Sequence, residues 1–116
     1  MFVHEDSRRK LIEWAEGDYK VAKALIVKQG DVAIGDHYHR HKDEKFLLIA
    51  GTAKEVVVGE QHWENVPAPF VWDVPRGTYH CFIFEPGSIL FGVGTEAFDP
   101  ADEIKGIPLD AENQIA

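Results

Sequence analysis

Five of the six histidines, His37, His39, His41, His62 and His80, fall in the middle of the 116-residue chain, where their spacing could serve metal ligation or proton transfer. Residues two apart in an extended strand point to the same face. His37 and His39 can therefore present both imidazoles to one point while Tyr38 faces away. A short turn over Arg40 to Asp43 reverses the chain, and Glu44 opens the next run with Phe46 and Leu48 on its own face. Far along the sequence the tight turn Pro75-Arg76-Gly77 delivers His80 to a run in which Thr78, His80, Phe82 and Phe84 share a face. Two imidazoles from one strand, a carboxylate from the next and a third imidazole from a distant strand suit a divalent transition metal: Zn, Fe, Mn, Ni or Co. One or two positions would stay open for water or substrate, and the spacing does not choose among the ions.

Strands must position these groups. Short apolar or alternating runs recur between turn residues over Leu11 to Trp14, Tyr19 to Lys28, Val32 to His39, Lys45 to Ile49, Ala53 to Val58, Gln61 to Val66, Phe70 to Val74, Thr78 to Glu85 and Ile89 to Thr95. Glu16-Gly17-Asp18, Gly30-Asp31, Ala50-Gly51-Thr52, Gly59-Glu60, Pro75-Arg76-Gly77 and Pro86-Gly87 supply the breaks. The rhythm predicts an all-β sandwich or barrel of about nine strands. No repeat or low-complexity linker interrupts it, so residues 1–116 read as one domain, with a barrel core over 19–95 and an acidic tail over 96–116. Only Glu5 to Lys10 and the segment after Pro100 are compatible with helix. Ile104, Ile107, Leu109 and Ile115 give the tail apolar anchors with which to wrap a neighbouring strand or subunit.

Twenty acidic residues against twelve basic ones leave a formal charge of −8, a field that repels phosphate backbones and anionic lipid. Nucleic acid and membrane surfaces are thus poor partners. Nine basic residues, Arg8, Arg9, Lys10, Lys20, Lys23, Lys28, Arg40, Lys42 and Lys45, nonetheless crowd the first half and leave room for a local anion site. No apolar run is long enough to span a bilayer, and the opening MFVHEDSRRK lacks the apolar stretch of a signal peptide. With the single Cys81 excluding an internal disulfide, the expected location is the cytoplasm. Glycine-rich nucleotide loops, a serine elbow and Cys-x-x-Cys are absent, which removes dinucleotide, ATP, serine-hydrolase and zinc-ribbon readings.

The segment His37-Tyr38-His39, four residues, Glu44, six residues, Gly51 resembles the first cupin motif, and Pro75-Arg76-Gly77-Thr78-Tyr79-His80 resembles the second. The first motif usually opens on Gly where Asp31 stands here; the second usually has Gly at Pro69 and Asn at Phe84. The run from His37 to Phe46 is similar to cupin domains of bacterial polysaccharide and nucleotide-sugar biosynthesis. Asp6-Ser7-Arg8-Arg9-Lys10-Leu11 is similar to the Asp-x-Arg-Gly opening of deoxysugar epimerases and ketoisomerases, with Arg9 in place of the glycine. The resemblance implies a cupin-type jelly-roll β-barrel and a homodimer formed through an N-terminal strand or by sheet contact. It also implies a sugar-like small-molecule substrate. Nucleotide-sugar 3,4-ketoisomerases are held to use the paired histidines as acid and base without metal, and generally lack the glutamate; Glu44 therefore favours a metal site here.

The expectation is a metal-dependent isomerase or epimerase of a sugar or nucleotide-sugar, with His37, His39, Glu44 and His80 on the ion. A dioxygenase with the same ligands, a non-catalytic carbohydrate- or carboxylate-binding module, and a metal-free ketoisomerase are the alternatives. Proton-transfer candidates are His37, His39 and Tyr38, with Tyr19, Tyr79 and His41 also available. His41 and His62 are assigned to solvent. Phe46, Trp72, Phe82 and Phe84 go to the core, and Cys81 to the face of its strand opposite His80. Arg76, Arg8 and Arg9 are candidate phosphate clamps.

Overall fold

Alternation of large apolar and polar residues produces strands whose apolar faces must be covered, and here two antiparallel sheets cover each other. The computed structural model describes residues 1–106. Among them lie β1 (Phe2–Glu5), β2 (Lys10–Glu13), β3 (Val21–Ile26), β4 (Ala33–His39), β5 (Glu44–Ala50), β6 (Thr52–Val58), β7 (Gln61–Pro67), β8 (Phe70–Val74), β9 (His80–Phe84), β10 (Ile89–Gly94) and β11 (Glu103–Lys105). One sheet has the order β3-β10-β5-β8 and the other β11-β4-β9-β6-β7; β1 and β2 pair only with each other. The nine runs expected from sequence are β2 to β10, and the architecture is the expected jelly roll. No helix among the described residues is long and apolar enough to cross a membrane.

The core lies between the inner faces. Strand β9 alternates strictly, with His80, Phe82 and Phe84 buried and Cys81 and Ile83 half-buried. Phe46 from β5 and Trp72 from β8 meet Phe82 edge-on, with ring centroids 5.3 and 5.4 Å away, and Phe84 stacks on it at 5.5 Å. All four aromatics assigned to the core are there.

Neither of the two helix-compatible regions is helical among the described residues. Glu5 to Lys10 is not helical: the Asp6 carboxylate accepts the N–H groups of Arg8 (2.8 Å) and Arg9 (3.0 Å), a side-chain bond that turns the chain and joins β1 to β2. The tail contributes β11, which pairs with β4 in the register Glu103↔His39, Ile104↔Tyr38 and Lys105↔His37. Ile104 thus wraps a neighbouring strand, whereas Ile107, Leu109 and Ile115 lie outside the described residues.

Gly51 of the first motif has a physical reason to be glycine. It turns β5 into β6 at φ +91°, and a side chain there would come within 2.7 Å of the Ser88 Cα. Asp31, which replaces the usual opening glycine, takes the same left-handed conformation at φ +57°.

Candidate functional site

Both crossings between the sheets that matter for the site occur at the same end of the barrel. Arg40 to Asp43 carries β4 into β5, and Pro75 to Tyr79 carries β8 into β9. Asp43 holds them together: its Oδ1 accepts the Arg76 backbone N–H at 2.8 Å, and its carboxylate takes the guanidinium at 3.2 and 3.0 Å. The Gly77 N–H donates to the His39 carbonyl at 2.6 Å. Two motifs distant in sequence are thereby fixed side by side.

A β-bulge then sets the direction of His37. Ile34 pairs with Phe82, Gly35 with Cys81 and His37 with His80, so Asp36 is an extra residue with no partner in β9. Without it Ile34 and His37, three apart, would face opposite ways; with it both line the same cavity. The bulge uses left-handed backbone at Gly35 (φ +93°) and Asp36 (φ +58°). A Cβ at Gly35 would press to 2.9 Å from the His80 carbonyl, so glycine there lets β4 approach the second motif. Simple alternation over Val32 to His39 does not reveal this shift.

One ligand atom each from His37, His39, Glu44 and His80 lies within 4.8 Å of the other three. Glu44 Oε1 is 3.1 Å from His39 Nε2 and 3.8 Å from His80 Nε2. The His37 ring stands nearly perpendicular to His80, with centroids 4.6 Å apart. Glu44 is 4% exposed and His80 2%. Glu44 Oε1 and His39 Nε2 are buried without a hydrogen-bond partner. Orphaned buried polar atoms of this kind are costly unless a further group satisfies them.

Burial pushes the Glu44 carboxyl up, but contact with His39 and the Lys23 charge outweigh it and hold the group at about 2. Burial pushes His80 down to about 4, against the opposing pull of Glu44, and it lowers His37 as well. A charged carboxylate beside the neutral imidazoles of His37 and His80 is the protonation pattern of a ligand set, so the donors fit a divalent cation.

Sequence reasoning placed Lys23 only among the basic residues of the first half. In the structure its ammonium donates to Glu44 Oε2 at 2.9 Å, leaving Oε1 to the histidines, and lies 5.3 Å from the centre of the Phe46 ring. Gly92 makes this reach feasible, since a Cβ there would meet both the Phe46 ring and the Lys23 stem. Lys23, Leu25, Ile34, Gly35, His37, Phe46, His80, Phe82 and Leu90 enclose a cavity of about 110 Å³. Asp102 and Glu103 were likewise read only as part of the acidic tail. They lie behind the paired histidines, with Asp102 Oδ2 3.5 Å from His39 Nδ1 and Glu103 Oε1 3.2 Å from His37 Nδ1. No spacing signal marks them.

The other candidates fall elsewhere. Tyr38 lies on the opposite face of β4 from the histidines, across from Ile104. The Tyr79 hydroxyl bonds Asp36 and Tyr19 donates to the Glu16 carbonyl, so neither borders the cavity. His41 and His62 are exposed. Arg76 is engaged by Asp43, and Arg8 binds Asp6 at 3.0 Å on the distant hairpin.

No family model and no curated protein matches the chain. Solved structures do. A 3,4-ketoisomerase from Helicobacter canadensis superposes over 90% of this chain and 85% of its own, at 16% identity and TM-score 0.77. A point variant of the 3,4-ketoisomerase QdtA from Thermoanaerobacterium thermosaccharolyticum, in complex with TDP-4-keto-6-deoxyglucose, gives 18% identity over 90% of this chain and 83% of that one, with TM-score 0.75. The capsular polysaccharide assembling protein CapF from Staphylococcus aureus gives 24% identity over 91% of this chain but 34% of its own length, with TM-score 0.63. The chain shares the jelly-roll fold of these structures, the fold expected from its sequence.

Proposed function

We propose that the protein is a cupin-fold isomerase that moves a proton between adjacent carbons of a nucleotide-linked keto sugar, with His37, His39, Glu44 and His80 holding a divalent metal ion. The observation that carries this reading is the buried convergence of the four side chains beside the cavity, with Glu44 Oε1 and His39 Nε2 lacking partners. A bound ion supplies Lewis-acid polarisation of a carbonyl. The chain supplies the rest. Leu25, Ile34, Phe82 and Leu90 exclude water from the cavity, and the Lys23 ammonium in its wall offers positive charge to an enediolate oxygen.

A second reading rests on Lys23. Its ammonium already neutralises Glu44, which gives the cluster a charge balance without metal. In that reading His37, kept neutral by burial, accepts the proton and the His37/His39 pair works as base and acid. The ketoisomerase likeness supports this variant equally well.

The deciding experiment combines metal content by mass spectrometry with solvent-proton exchange into TDP-4-keto-6-deoxyglucose, for wild type, Glu44→Gln and His80→Ala. Stoichiometric metal and exchange in wild type, both lost in the two variants, is the expected result. Exchange without metal, retained in Glu44→Gln, selects the histidine pair alone. Saturable sugar binding without exchange under either condition overturns the isomerase and leaves a binding module.

The assembly we propose is a homodimer built through the β1–β2 hairpin. Phe2 and Val3 are 55% and 40% exposed there, and neither strand joins the barrel sheets. Sedimentation of the full chain against a form lacking residues 1–14 tests it: dimer for the first, monomer for the second. We further take the chain as a single domain, acting in the cytoplasm, where the free Cys81 stays reduced.

A further inference from the structure

The acidic tail strand has no place in the chemistry above, yet it carries two carboxylates to the back of the paired histidines. We propose that Glu103 is a positioning residue that fixes the tautomer of His37, and that Asp102, on the side of His39 away from Glu44, fixes the orientation of His39, so that β11 completes the site. The proposal applies whether or not the cluster holds a metal.

Three observations carry it. The Nδ1 atoms of His37 and His39 are both buried and lack a hydrogen bond from or to any other group. The carboxylate oxygens facing them, Glu103 Oε1 at 3.2 Å and Asp102 Oδ2 at 3.5 Å, come from consecutive residues of one short segment. That segment is firmly placed: the other Asp102 oxygen accepts the His41 N–H at 2.7 Å, its carbonyl accepts the Arg40 N–H at 3.2 Å, and β11 is in register with β4.

The chemistry follows from what a carboxylate can do. An ionised carboxylate only accepts, so the nitrogen it faces is favoured as the N–H, and the other nitrogen keeps its lone pair. With Nδ1–H turned toward Glu103, His37 Nε2 keeps its lone pair for a cation or a substrate proton; His39 lies between two carboxylates, Glu44 3.1 Å from its Nε2 and Asp102 3.5 Å from its Nδ1, which hold the ring between them. Backing of this kind fixes ring orientation and raises basicity, and its removal weakens metal binding by about 10–100-fold. One further residue ties β11 to the cavity: Asp36, the bulge that turns His37 inward, accepts the Gly106 N–H at its carbonyl (2.9 Å). The tail therefore braces both the histidines and the bulge that aims one of them.

The test uses near-isosteric variants of the full chain. Asp102→Asn keeps a carbonyl for His41 but can turn a donor toward His39, and Glu103→Gln does the same toward His37 at a less buried position. Long-range proton–nitrogen spectra of chelator-stripped protein at pH 8 read the tautomers directly, and Co²⁺ titration reads affinity. The expected result is Nδ1–H at His37 in wild type, lost in Glu103→Gln. Where wild type binds Co²⁺, affinity falls by about 10–100-fold in Asp102→Asn, while Asp102→Glu restores part of it. Nε2–H at His37 in wild type, or a His37 spectrum unchanged in Glu103→Gln, overturns the proposal. Should Asp102→Asn not fold, Glu103→Gln decides by the same spectra. Because tautomers are read without metal or substrate, absence of metal binding or of isomerisation would count against the proposed function and leave this inference standing.

Discussion

The two ends of the barrel interior are built from the same strands and obey opposite rules. Toward one end β9 contributes Phe82 and Phe84 and β5 contributes Leu48, which close into a core of interlocking aromatic and aliphatic groups. Toward the other, the inward-facing series on those strands ends in His80 and, beyond Phe46, Glu44, facing His37 and His39 from β4. The apolar end removes hydrocarbon from water and leaves little polar demand. The polar end buries a carboxylate and imidazoles, several of them short of partners. Burial of that kind costs stability, so the apolar end sustains a site that would not persist alone. The stitch between the motif turns, Asp43 with Arg76, closes the polar end.

Four experiments break or sharpen that contrast. The largest effect belongs to Phe82→Ala, which removes a ring 1% exposed in contact with Phe46, Trp72 and Phe84. A loss of about 3–5 kcal/mol in urea unfolding is expected. Next is Gly35→Ala, which strains a φ of +93° and pushes a methyl against the His80 carbonyl. It should cost about 1–3 kcal/mol and, unlike Phe82→Ala, abolish metal uptake in the fraction that stays folded.

The third concerns pH. His80 falls from an ordinary 6.5 to about 4 on folding and Glu44 from 4.5 to about 2, so in both windows the unfolded chain binds more protons than the folded one. Stability of chelator-stripped protein must therefore drop as pH falls, first between about 6.5 and 4 through His80, with His37 acting in the same direction, and then between 4.5 and 2 through Glu44. The local slope is about 1.4 kcal/mol per pH unit for one proton. Urea midpoints against pH check it, and His80→Asn should flatten the upper window. A flat profile in wild type would mean that the polar end carries no such burden. The smallest effect is reserved for His41→Ala. His41 adjoins the cluster in sequence but is exposed, and its contact with Asp102 is through the backbone. Stability within about 0.5 kcal/mol of wild type and unchanged metal content are expected.

Much of this was legible in the chain because it rests on local rules. The strict alternation from His80 to Phe84 marks a strand with one buried face, and His37-x-His39 needs only the period of a strand to place two imidazoles together. The β1–β2 hairpin was missed because one side chain, Asp6, redirects a segment whose composition tolerates helix. Lys23 was missed because a basic residue in an edge strand looks like any solvated lysine until Gly92 makes room for its stem.

By itself, then, the sequence determined nine of the strands, their inward faces and the side chains they offer to the site, since periodicity and turn chemistry act between near neighbours. Tertiary structure decided what surrounds them. The Asp36 bulge exists because β4 must match β9, Lys23 finds Glu44 across the one intervening strand β10, and Asp102 and Glu103 reach the histidines because β11 pairs back onto β4. Each of these joins positions more than twenty residues apart or depends on register between strands. A one-dimensional pattern carries no term for such distances; chain closure and side-chain fit in three dimensions supply it.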